Sequence, residues 1–351
     1  MVNSVLRQFL SRLLHRENLT RDEAGRLLEA MLAEDASDAQ IAATLIALTT
    51  KGETVDELAG MAGVLRERAV RVNSCHQVFI DTAGTGSSRA KTFNISTAAA
   101  FVTAGAGLAV AKHGNRAASS KSGSADVLTA LGVNVSALTK VTEACLNEIG
   151  ICFMFAPLYH GATARVAAIR KELGIHTTFN LLGPLSNPAG APRQIIGVWR
   201  KQLVELLANV LATLGAARGW IVHGEDGLDE ITLAGKTFVA EVQNGKVKTF
   251  EIGPADFGLE RAALDHLRGG DAQTNAHTIS EVFSGERRDE ARDLVVANAA
   301  AALFVGGRAN TLIEAARCAE ESIDSGAARR KLEQLIRATN STSSIKSTQQ
   351  L

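Results

Sequence analysis

The sequence predicts an α/β protein with a small helical unit at the N-terminus and a larger region built on a mainly parallel sheet. Two observations carry this prediction. Residues 1–74 place their apolar side chains at helical spacing, whereas beyond them short β-prone runs alternate with helical segments. Because strands that alternate with helices form parallel sheets with both faces covered, we expect this sheet to be buried between helical layers.

The composition is that of an ordinary globular protein with a well-formed core. The 351 residues are 46% hydrophobic and 21% charged. The 37 basic and 37 acidic side chains cancel and form no basic run, which argues against a dedicated nucleic-acid binder. The four cysteines are scattered, as is typical of reduced thiols. With no signal-peptide pattern and no apolar stretch of about 18 residues, we expect a cytoplasmic protein that does not enter a membrane.

The N-terminal unit is predicted to contain about four short helices, because three capping boxes punctuate it. Thr20 with Glu23, Ser37 with Gln40, and Thr54 with Glu57 each precede an apolar run at helical spacing. The unit is expected to end near residues 71–74.

The larger region is predicted to contain five buried strands and one hairpin. The β-prone runs are QVFID, LAVAKHG, ICFMFAP, RQIIGVW and RGWIVHG. The hairpin is FVAEVQNGKVKTFEI, which turns at Asn244-Gly245. A helix is expected between Ala162 and Glu172, followed by a proline-rich loop, FNLLGPLSNPAGAP. Long Ala-rich helices close the region, and residues 339–351 are predicted to be a disordered polar tail.

A phosphate-binding loop is one interpretation of DTAGTGSSRAKTFNIST, which runs from Asp81 to Thr97 between a strand and a helix. Gly84 and Gly86 let the backbone approach a ligand, and a helix start stabilises an anion. The hydroxyl and amide donors in this stretch are Ser87, Ser88, Thr92, Asn94, Ser96 and Thr97. The alternative is a plain strand-to-helix turn capped by Ser96, and this loop alone does not decide between them.

A second polar loop, AKHGNRAASSKSGSADVL, follows the next strand and favours the phosphate interpretation. Its cations are Lys112, Arg116 and Lys121, and its hydrogen-bonding side chains are Asn115, Ser119, Ser120, Ser122 and Ser124. In parallel sheets, ligands lie outside the carboxyl ends of the strands, so both loops are able to bind one anionic ligand.

Two further sites are ambiguous by local sequence. Asp229 and Glu230 follow a strand and a glycine turn; adjacent carboxylates beside a phosphate site suit Mg²⁺, but the local sequence alone favours a solvated acidic turn. Arg170 lies on an amphipathic helix and would bind a carboxylate only if that helix faced the sheet edge.

Together these segments resemble the anthranilate phosphoribosyltransferase family, from the capped N-terminal helices to NAAAALFVGGRA near residue 309. The most specific match is KHGNRAASSKSGSADVL. The other segments that match, in family order, are TFNIST, FNLLGPLSNP, GLDEI, DFGL and GGDAQTNA.

The resemblance implies a domain division and a reaction. Residues 1–74, completed by about 162–192, would form a helical domain packed on an α/β domain of residues 75–161 and 193–338, with the active site in the cleft between them. The reaction implied is transfer of the phosphoribosyl group of phosphoribosyl pyrophosphate to the amino group of anthranilate, assisted by Mg²⁺. A homodimer formed through the helical domains is also implied.

The site residues implied by the resemblance fall into three sets. Anthranilate would contact Gly84, Asn115 and Arg170, with Arg170 pairing its carboxylate. The metal would be held by Ser96, Asp229 and Glu230. Phosphoribosyl pyrophosphate would contact Gly84, Ser87, Ser88, Thr92, Asn94, Ile95, Ser96, Thr97, Lys112, His113, Gly114, Asn115, Arg116, Ala117, Ala118, Ser119, Ser120 and Ser124. No general base is expected, because an aromatic amine is already neutral at pH 7.

The first loop departs from the family pattern Gly-Thr-Gly-Gly-Asp-Gly. Here it reads Gly84-Thr85-Gly86-Ser87-Ser88-Arg89, which removes a carboxylate and, with Lys91, adds positive charge. We hypothesise that these cations partly replace metal-mediated contacts to the diphosphate. Gly161 replaces a frequent proline and His176 a frequent arginine near the acceptor site.

Three alternatives follow from these departures and from the fold. They are a related enzyme with a different aromatic amine as acceptor, a pyrimidine nucleoside phosphorylase, and a non-catalytic relative that binds nucleic acid. The zero net charge and the retained Asn115, Arg170, Asp229 and Glu230 argue against the last.

Overall fold

The computed structural model describes residues 3–86, 92–117, 121–263 and 267–341. The N-terminal helices are α1 (Ser4–Leu14), α2 (Arg21–Leu32), α3 (Asp38–Lys51) and α4 (Val55–Arg68). All three predicted capping boxes are confirmed, with the threonine or serine side chain and the glutamate or glutamine side chain each bonded to the other's main chain. Local hydrogen bonds therefore define where three of these helices begin.

The sheet has seven strands in the order β3-β2-β1-β4-β5-β6-β7. The strands are β1 (Phe79–Gly84), β2 (Ala109–Gly114), β3 (Ile151–Phe155), β4 (Arg193–Gly197), β5 (Arg218–Gly224), β6 (Thr237–Gln243) and β7 (Lys246–Ile252). The first five are parallel, and β6 and β7 are antiparallel. The predicted parallel strands and the hairpin are confirmed, and Asn244 and Gly245 both take the positive φ that a tight turn requires.

The remaining helices connect and cover the strands. They are α5 (Ile95–Gly105), α6 (Ser124–Ala130), α7 (Thr139–Ala144), α8 (Ala156–Tyr159), α9 (Ala164–Leu173), α10 (Thr178–Leu185), α11 (Gln202–Thr213), α12 (Ala272–Ser284), α13 (Glu290–Val305), α14 (Leu312–Asp324) and α15 (Ala327–Asn340). A short π-helix occupies Cys145–Ile149, and short 3-10 helices occupy Gly161–Thr163 and Pro254–Phe257.

Two hydrophobic cores lie on either side of the sheet. One joins α5, α13, α14 and α15 to the strands. The other joins the N-terminal helices, α9, α10 and α11 to apolar residues of β4, β5 and β6. The helical unit therefore packs against the α/β region through a shared apolar layer, and an α/β protein with a small helical unit is confirmed.

Three local predictions need correction. The segment predicted as a proline-rich loop begins as helix α10, because Thr177 and Asn180 form a capping box and the apolar side chains that follow are buried. Pro184 lies in its last turn. Helix α5 begins at Ile95 with Asn94 as its N-cap, so Ser96 does not cap it. The last turn of α15 includes Thr339 and Asn340, which the sequence analysis placed in the tail.

Among the described residues, no helix is both long enough and apolar enough to cross a membrane.

Candidate active site

The loops after β1 and β2 open at the same edge of the sheet, because the strands are parallel and adjacent. Hydrogen bonds join the two loops near the points where they lead into the helices that follow. The Asn94 side chain donates to the Ser122 carbonyl over 3.3 Å, and it accepts from the Asn275 side chain over 3.0 Å. A strand-like bridge between Thr92 and Arg268 adds a third segment to this edge. Three stretches far apart in sequence thus surround one polar site.

Lys112 lies beneath this edge with only 3% of its surface exposed. Its ammonium donates to the Thr82 carbonyl over 2.5 Å and to the Ser96 hydroxyl over 3.4 Å. Burial lowers the pKa of Lys112, and the charges of Asp81 and Glu230 oppose that shift. A buried cation held next to a helix start is well placed to meet the negative charge of a phosphate.

Ser96 and Glu230 are hydrogen-bonded partners at the start of α5. Glu230 accepts from both the main chain and the side chain of Ser96. Burial, and then repulsion by neighbouring Asp229, raise the pKa of Glu230 to about 8. The hydroxyl and the carboxylate that were predicted as metal ligands therefore converge on one point.

Asp229 completes this acidic corner. Its Oδ2 accepts from the Gly86 main chain over 3.2 Å, which ties it to the first loop. Its carbonyl group lies so close to β4 that a Cβ on Gly197 would come within 1.6 Å of it. Only glycine allows this approach. Gly197 therefore lets the turn that carries Asp229 and Glu230 lie directly against the end of β4.

The donor set at this corner fits magnesium. No cluster of three or more histidine, cysteine, aspartate or glutamate side chains occurs within the described ranges. Two carboxylates and one hydroxyl are nevertheless what Mg²⁺ uses when water and substrate oxygens complete its shell. Ser96, Asp229 and Glu230 are such a set.

The loop after β2 is organised by Asp126, which the sequence analysis did not single out. Its Oδ2 accepts from the main chains of Ala117 (2.9 Å) and Gly123 (3.0 Å), and its Oδ1 accepts from Arg116 over 2.8 Å. Arg116, predicted to contact the donor, is therefore paired with Asp126 while half exposed. An acidic residue three positions after a helix-capping glycine was the available signal.

Asn115 and Ser124 lie at the two ends of the same loop. The Asn115 carbonyl accepts from the Ser124 hydroxyl over 3.4 Å and from the Ala125 main chain over 3.2 Å. Gly114 gives Ser124 room, because a Cβ there would lie 2.1 Å from the Ser124 hydroxyl. These contacts close the loop onto the start of α6.

Two predicted donor-contact residues point their side chains into the core. Ile95 and Thr97 are each 1% exposed. Either can contact a ligand only through its main chain. Successive side chains of a helix point about 100° apart, so Ser96 points in a different direction from both of its buried neighbours.

His113 is buried against the helical unit. Its ring lies 5.2 Å from that of His160, and the Gly183 main chain is a hydrogen-bond partner. Burial, followed by the neighbouring His160, lowers the pKa of His113 to about 3, so the ring is neutral.

Asp81 and Asn187 are two further buried polar residues that sequence reasoning missed as site components. Asp81 is fully buried; its carboxylate accepts from the His113 main chain over 3.2 Å and from the Asn187 side chain over 2.7 Å. Burial raises its pKa to about 6, although Lys112 and these hydrogen bonds act the other way. The signal for Asp81 was an ionisable residue within an apolar strand.

Arg170 lies on α9, and the start of α10 holds its guanidinium. Nε donates to the Thr177 hydroxyl and Nη2 to the Asn180 side chain, each over 3.0 Å. The guanidinium also lies 5.6 Å from the Phe179 ring centre. Such restraint preorganises the fork for a planar carboxylate.

His176, a departure from the family pattern, packs on Trp199 with ring centres 4.9 Å apart. Both line a cavity of about 440 Å³ together with Arg200, Lys201, Gln202, His223 and Gly227. Burial, and then repulsion by Arg200 and Arg170, lower the pKa of His176. The residue thus lies near Arg170 but on the side towards β4 and β5.

Several predicted residues lie outside the described ranges. They are Ser87, Ser88, Ala118, Ser119 and Ser120, together with Arg89 and Lys91. Their roles, and the hypothesis that Arg89 and Lys91 replace metal-mediated contacts, stay predictions.

Two family models match the chain. The one described as the glycosyl transferase family, a/b domain, matches residues 76–329, and the one described as the helical bundle domain of the same family matches residues 7–69. An anthranilate phosphoribosyltransferase of Anaeromyxobacter dehalogenans is 53% identical over 335 residues, which cover 95% of this chain and 99% of the relative.

Three solved structures of anthranilate phosphoribosyltransferases are similar to this chain over nearly its whole length. The crystal structure of anthranilate phosphoribosyltransferase from Thermus thermophilus has a TM-score of 0.89 at 39% identity and covers 94% of this chain and 98% of its own. The Saccharomyces cerevisiae enzyme in complex with phosphoribosyl pyrophosphate and Mg has a TM-score of 0.87 at 30% identity and covers 96% and 98%. Another structure of the yeast enzyme, with a TM-score of 0.86 at 29% identity and the same coverage, is in complex with 4-fluoroanthranilate.

Proposed function

The chain belongs to the anthranilate phosphoribosyltransferase family, and from that premise we propose which of its residues bind each substrate and the metal. The enzyme transfers the 5-phosphoribosyl group of phosphoribosyl pyrophosphate to the amino group of anthranilate. The products are N-(5-phosphoribosyl)anthranilate and pyrophosphate, and the reaction belongs to tryptophan biosynthesis.

The phosphoribosyl donor binds between the loops that follow β1 and β2. The observation that carries this assignment is the convergence of Lys112, Ser96 and Glu230 beneath two loops joined through Asn94 and Ser122. Main-chain N–H groups and hydroxyls there can surround a phosphate, and Lys112 supplies positive charge. The remaining donor contacts are those inferred from the family resemblance.

Mg²⁺ is held by Ser96, Asp229 and Glu230 together with donor oxygens. When bound, the metal neutralises the negative charge that develops on the departing pyrophosphate. Gly197 and Gly86 contact Asp229 directly, and Glu230 follows it on the same turn, close enough for the two carboxylates to repel each other. A homologue that carries this donor together with Mg supports the assignment.

Anthranilate binds with its carboxylate on Arg170 and its ring near Gly84 and Asn115. The restraint of Arg170 by Thr177 and Asn180 supports this role, because a fork already held in place loses less entropy on binding. We assign no general base, since the aromatic amine is neutral at pH 7 and attacks C1 of the ribose through its own lone pair. Orientation of the two substrates then accounts for much of the rate enhancement.

The protein is proposed to act as a cytoplasmic homodimer joined through its helical units. All four cysteines are free, which suits a reducing compartment. The exposed apolar side chains of Leu14 and Ile46 on α1 and α3 support a contact between helical units.

Arg170→Ala tests the acceptor assignment. Because the variant loses a charge-assisted carboxylate contact, we expect the KM for anthranilate to rise about 10- to 100-fold, while the KM for phosphoribosyl pyrophosphate changes less than about threefold. Loss of anthranilate fluorescence in the presence of the donor and Mg²⁺ reports turnover.

Arg165→Ala is the matched control, since Arg165 lies on the same helix but pairs with Asp38 at the surface. It should leave both KM values unchanged. Equal effects of the two substitutions would contradict the role of Arg170, and no anthranilate consumption by the wild type would contradict the function itself.

A further inference from the structure

One continuous segment, residues 177–189, contacts the proposed acceptor site at its beginning and the donor-binding strands at its end. The segment consists of α10 and the connector that leads into β4. None of its residues belongs to the binding sets inferred above. Its contacts at the two ends are specific enough to suggest a role in catalysis.

At the acceptor end, the segment holds the Arg170 side chain. Thr177 and Asn180, at the start of α10, each accept from the guanidinium over 3.0 Å. Any shift of α10 therefore shifts the fork that is proposed to bind the carboxylate.

At the donor end, the Asn187 side chain uses both of its N–H groups to bond the strands. Its two N–H groups donate to Asp81 Oδ2 on β1 (2.7 Å) and to the Ala111 carbonyl on β2 (2.9 Å). Its Oδ1 accepts from the main chain of Ala189 over 2.9 Å. The residue is 2% exposed, so water does not replace these contacts.

Asp81 connects Asn187 to residues of the proposed donor site. Its other oxygen accepts from the His113 main chain over 3.2 Å, and its charge interacts with the ammonium of Lys112. Lys112 in turn contacts Ser96 at the start of α5. A short chain of contacts thus connects the connector to the proposed phosphate site.

Helix α10, in the middle of the segment, is short and is anchored by contacts along its length, so we expect it to move as one rigid unit. Eight helical residues span roughly 12 Å. The Gln194 side chain donates to the Pro184 carbonyl over 2.9 Å, and the Gly183 main chain contacts the His113 ring. We expect such a helix to transmit a displacement from one end to the other.

We propose that Asn187 and Asp81 are positioning residues, which fix residues 177–189 to the donor-binding strands and thereby couple binding of the donor to the placement of Arg170. This proposal rests on the donor and acceptor sites assigned above. Bound donor restricts the ends of β1 and β2 further, and through Asn187 it narrows the range of positions that α10 and the Arg170 fork adopt before the acceptor arrives. The coupling is reciprocal, as any equilibrium coupling between two sites must be.

The test measures how strongly the donor tightens binding of a non-reacting acceptor analogue. The probe is 2-hydroxybenzoate, which keeps the ring and the carboxylate but has no amine to react. Calorimetric titration with and without saturating phosphoribosyl pyrophosphate and Mg²⁺ gives the two Kd values. For the wild type we expect the donor to lower the Kd about tenfold, a typical coupling.

Asn187→Ala should reduce this tightening to less than about twofold, while the Kd without donor changes less than about threefold. Asp81→Asn, which keeps the volume of the side chain but replaces one of the two acceptor oxygens used by Asn187 and the His113 main chain with an N–H donor, should reduce it as well and serves if Asn187→Ala does not fold. Asn209→Ala is the matched control, because Asn209 donates to the Glu205 carbonyl on the surface of α11. It should leave the coupling unchanged.

Coupling that persists in a folded Asn187→Ala protein, or is absent from the wild type, would overturn the proposal. A lower melting temperature with unchanged coupling would also overturn it, since that is the result of a purely structural role. Wild-type turnover of anthranilate, measured in parallel, keeps the two questions separate: turnover without coupling refutes the coupling alone, whereas absence of turnover refutes the assigned function.

Discussion

At the residue scale, ionisable side chains are buried on both sides of β1 and β2. Asp81 and Lys112 carry opposite charges and attract each other, whereas His113 lies beside His160 and Lys112, which oppose a positive charge on its ring. Charged groups can be buried when opposite charges compensate the lost hydration, and groups without an opposite charge become neutral. His113 should therefore make the stability of the fold depend on pH.

His113→Gln should weaken the acid sensitivity of the protein. The folded pKa of His113 is about 3 against an ordinary 6.5, so the neutral ring contributes stability above pH 6.5 that is lost as the pH falls towards 3. Between pH 6.5 and 5 this loss amounts to about 2 kcal/mol. Urea unfolding at pH 7.5 and 5 should show a smaller decrease in the variant than in the wild type.

His277→Gln is the control, because His277 is 75% exposed. It should lose as much stability on acidification as the wild type. Asp81, whose raised pKa has the opposite effect on stability, is present in all three proteins and cancels in the comparison. Equal acid sensitivity of His113→Gln and wild type would contradict the assignment of a buried neutral ring.

At the element scale, similar capping boxes differ in their surroundings. Glu57 is fully buried; besides its cap it accepts from the Leu19 main chain (2.9 Å) and pairs with buried Lys51 (2.8 Å). Glu23 caps α2 but pairs with a partly exposed Arg12. The Glu57 box therefore joins α3, α4 and the loop before α2 through buried contacts, whereas the Glu23 box links α2 to α1 through a partly exposed pair.

Glu57→Gln should therefore destabilise the protein more than Glu23→Gln. Glutamine keeps one acceptor oxygen for each capping box, but Glu57→Gln also loses one of the two oxygens that accept from the Leu19 and Thr54 main chains. Leaving Lys51 buried without its carboxylate partner costs about 3 kcal/mol, whereas the pair of Glu23 with Arg12 is screened by solvent and contributes much less. Urea unfolding followed by circular dichroism measures both, and losses of equal size would show that burial does not decide the difference.

At the scale of the whole molecule, α11 forms the layer between the helical unit and the sheet. Helix α4 packs on one side of it and strands β5 and β6 on the other. Helices α9 and α10 follow β1, β2 and β3 in the sequence and pack on the helical unit. The chain therefore leaves the sheet, completes the helical core and returns to it at β4, with Arg170 held on α9 by the start of α10.

Leu14→Asp should convert the proposed dimer into monomers. Leu14 is 69% exposed at the end of α1, and a carboxylate there would be buried without a partner in a helical-unit interface. Leu138→Asp is the matched control, since Leu138 is 67% exposed but lies on the α/β region. Sedimentation velocity should give half the wild-type mass for the first variant alone. A monomeric wild type, or dimers in both variants, would contradict the proposed interface.

The sequence by itself determined the features that depend on neighbours along the chain. Capping boxes span three residues, and the turn at Asn244-Gly245 needs only two residues that tolerate positive φ. Strand runs alternating with helices were sufficient for the parallel sheet, and the motif around Asn115 was sufficient for the family. The caps and the turn depend on hydrogen bonds between near neighbours, and the strands and helices depend on the spacing of apolar residues. The order of residues specifies both directly.

Only the tertiary structure decided which polar residues lie together at the candidate site. The bond between Asn187 and Asp81 joins positions 106 residues apart, so no local pattern predicts it. Ile95 and Thr97 lie in a matching motif yet point into the core, and a proline-rich segment becomes helix α10 because its apolar side chains find a core to pack against. Burial and long-range contacts depend on how the layers meet, and that information exists only once the chain has folded.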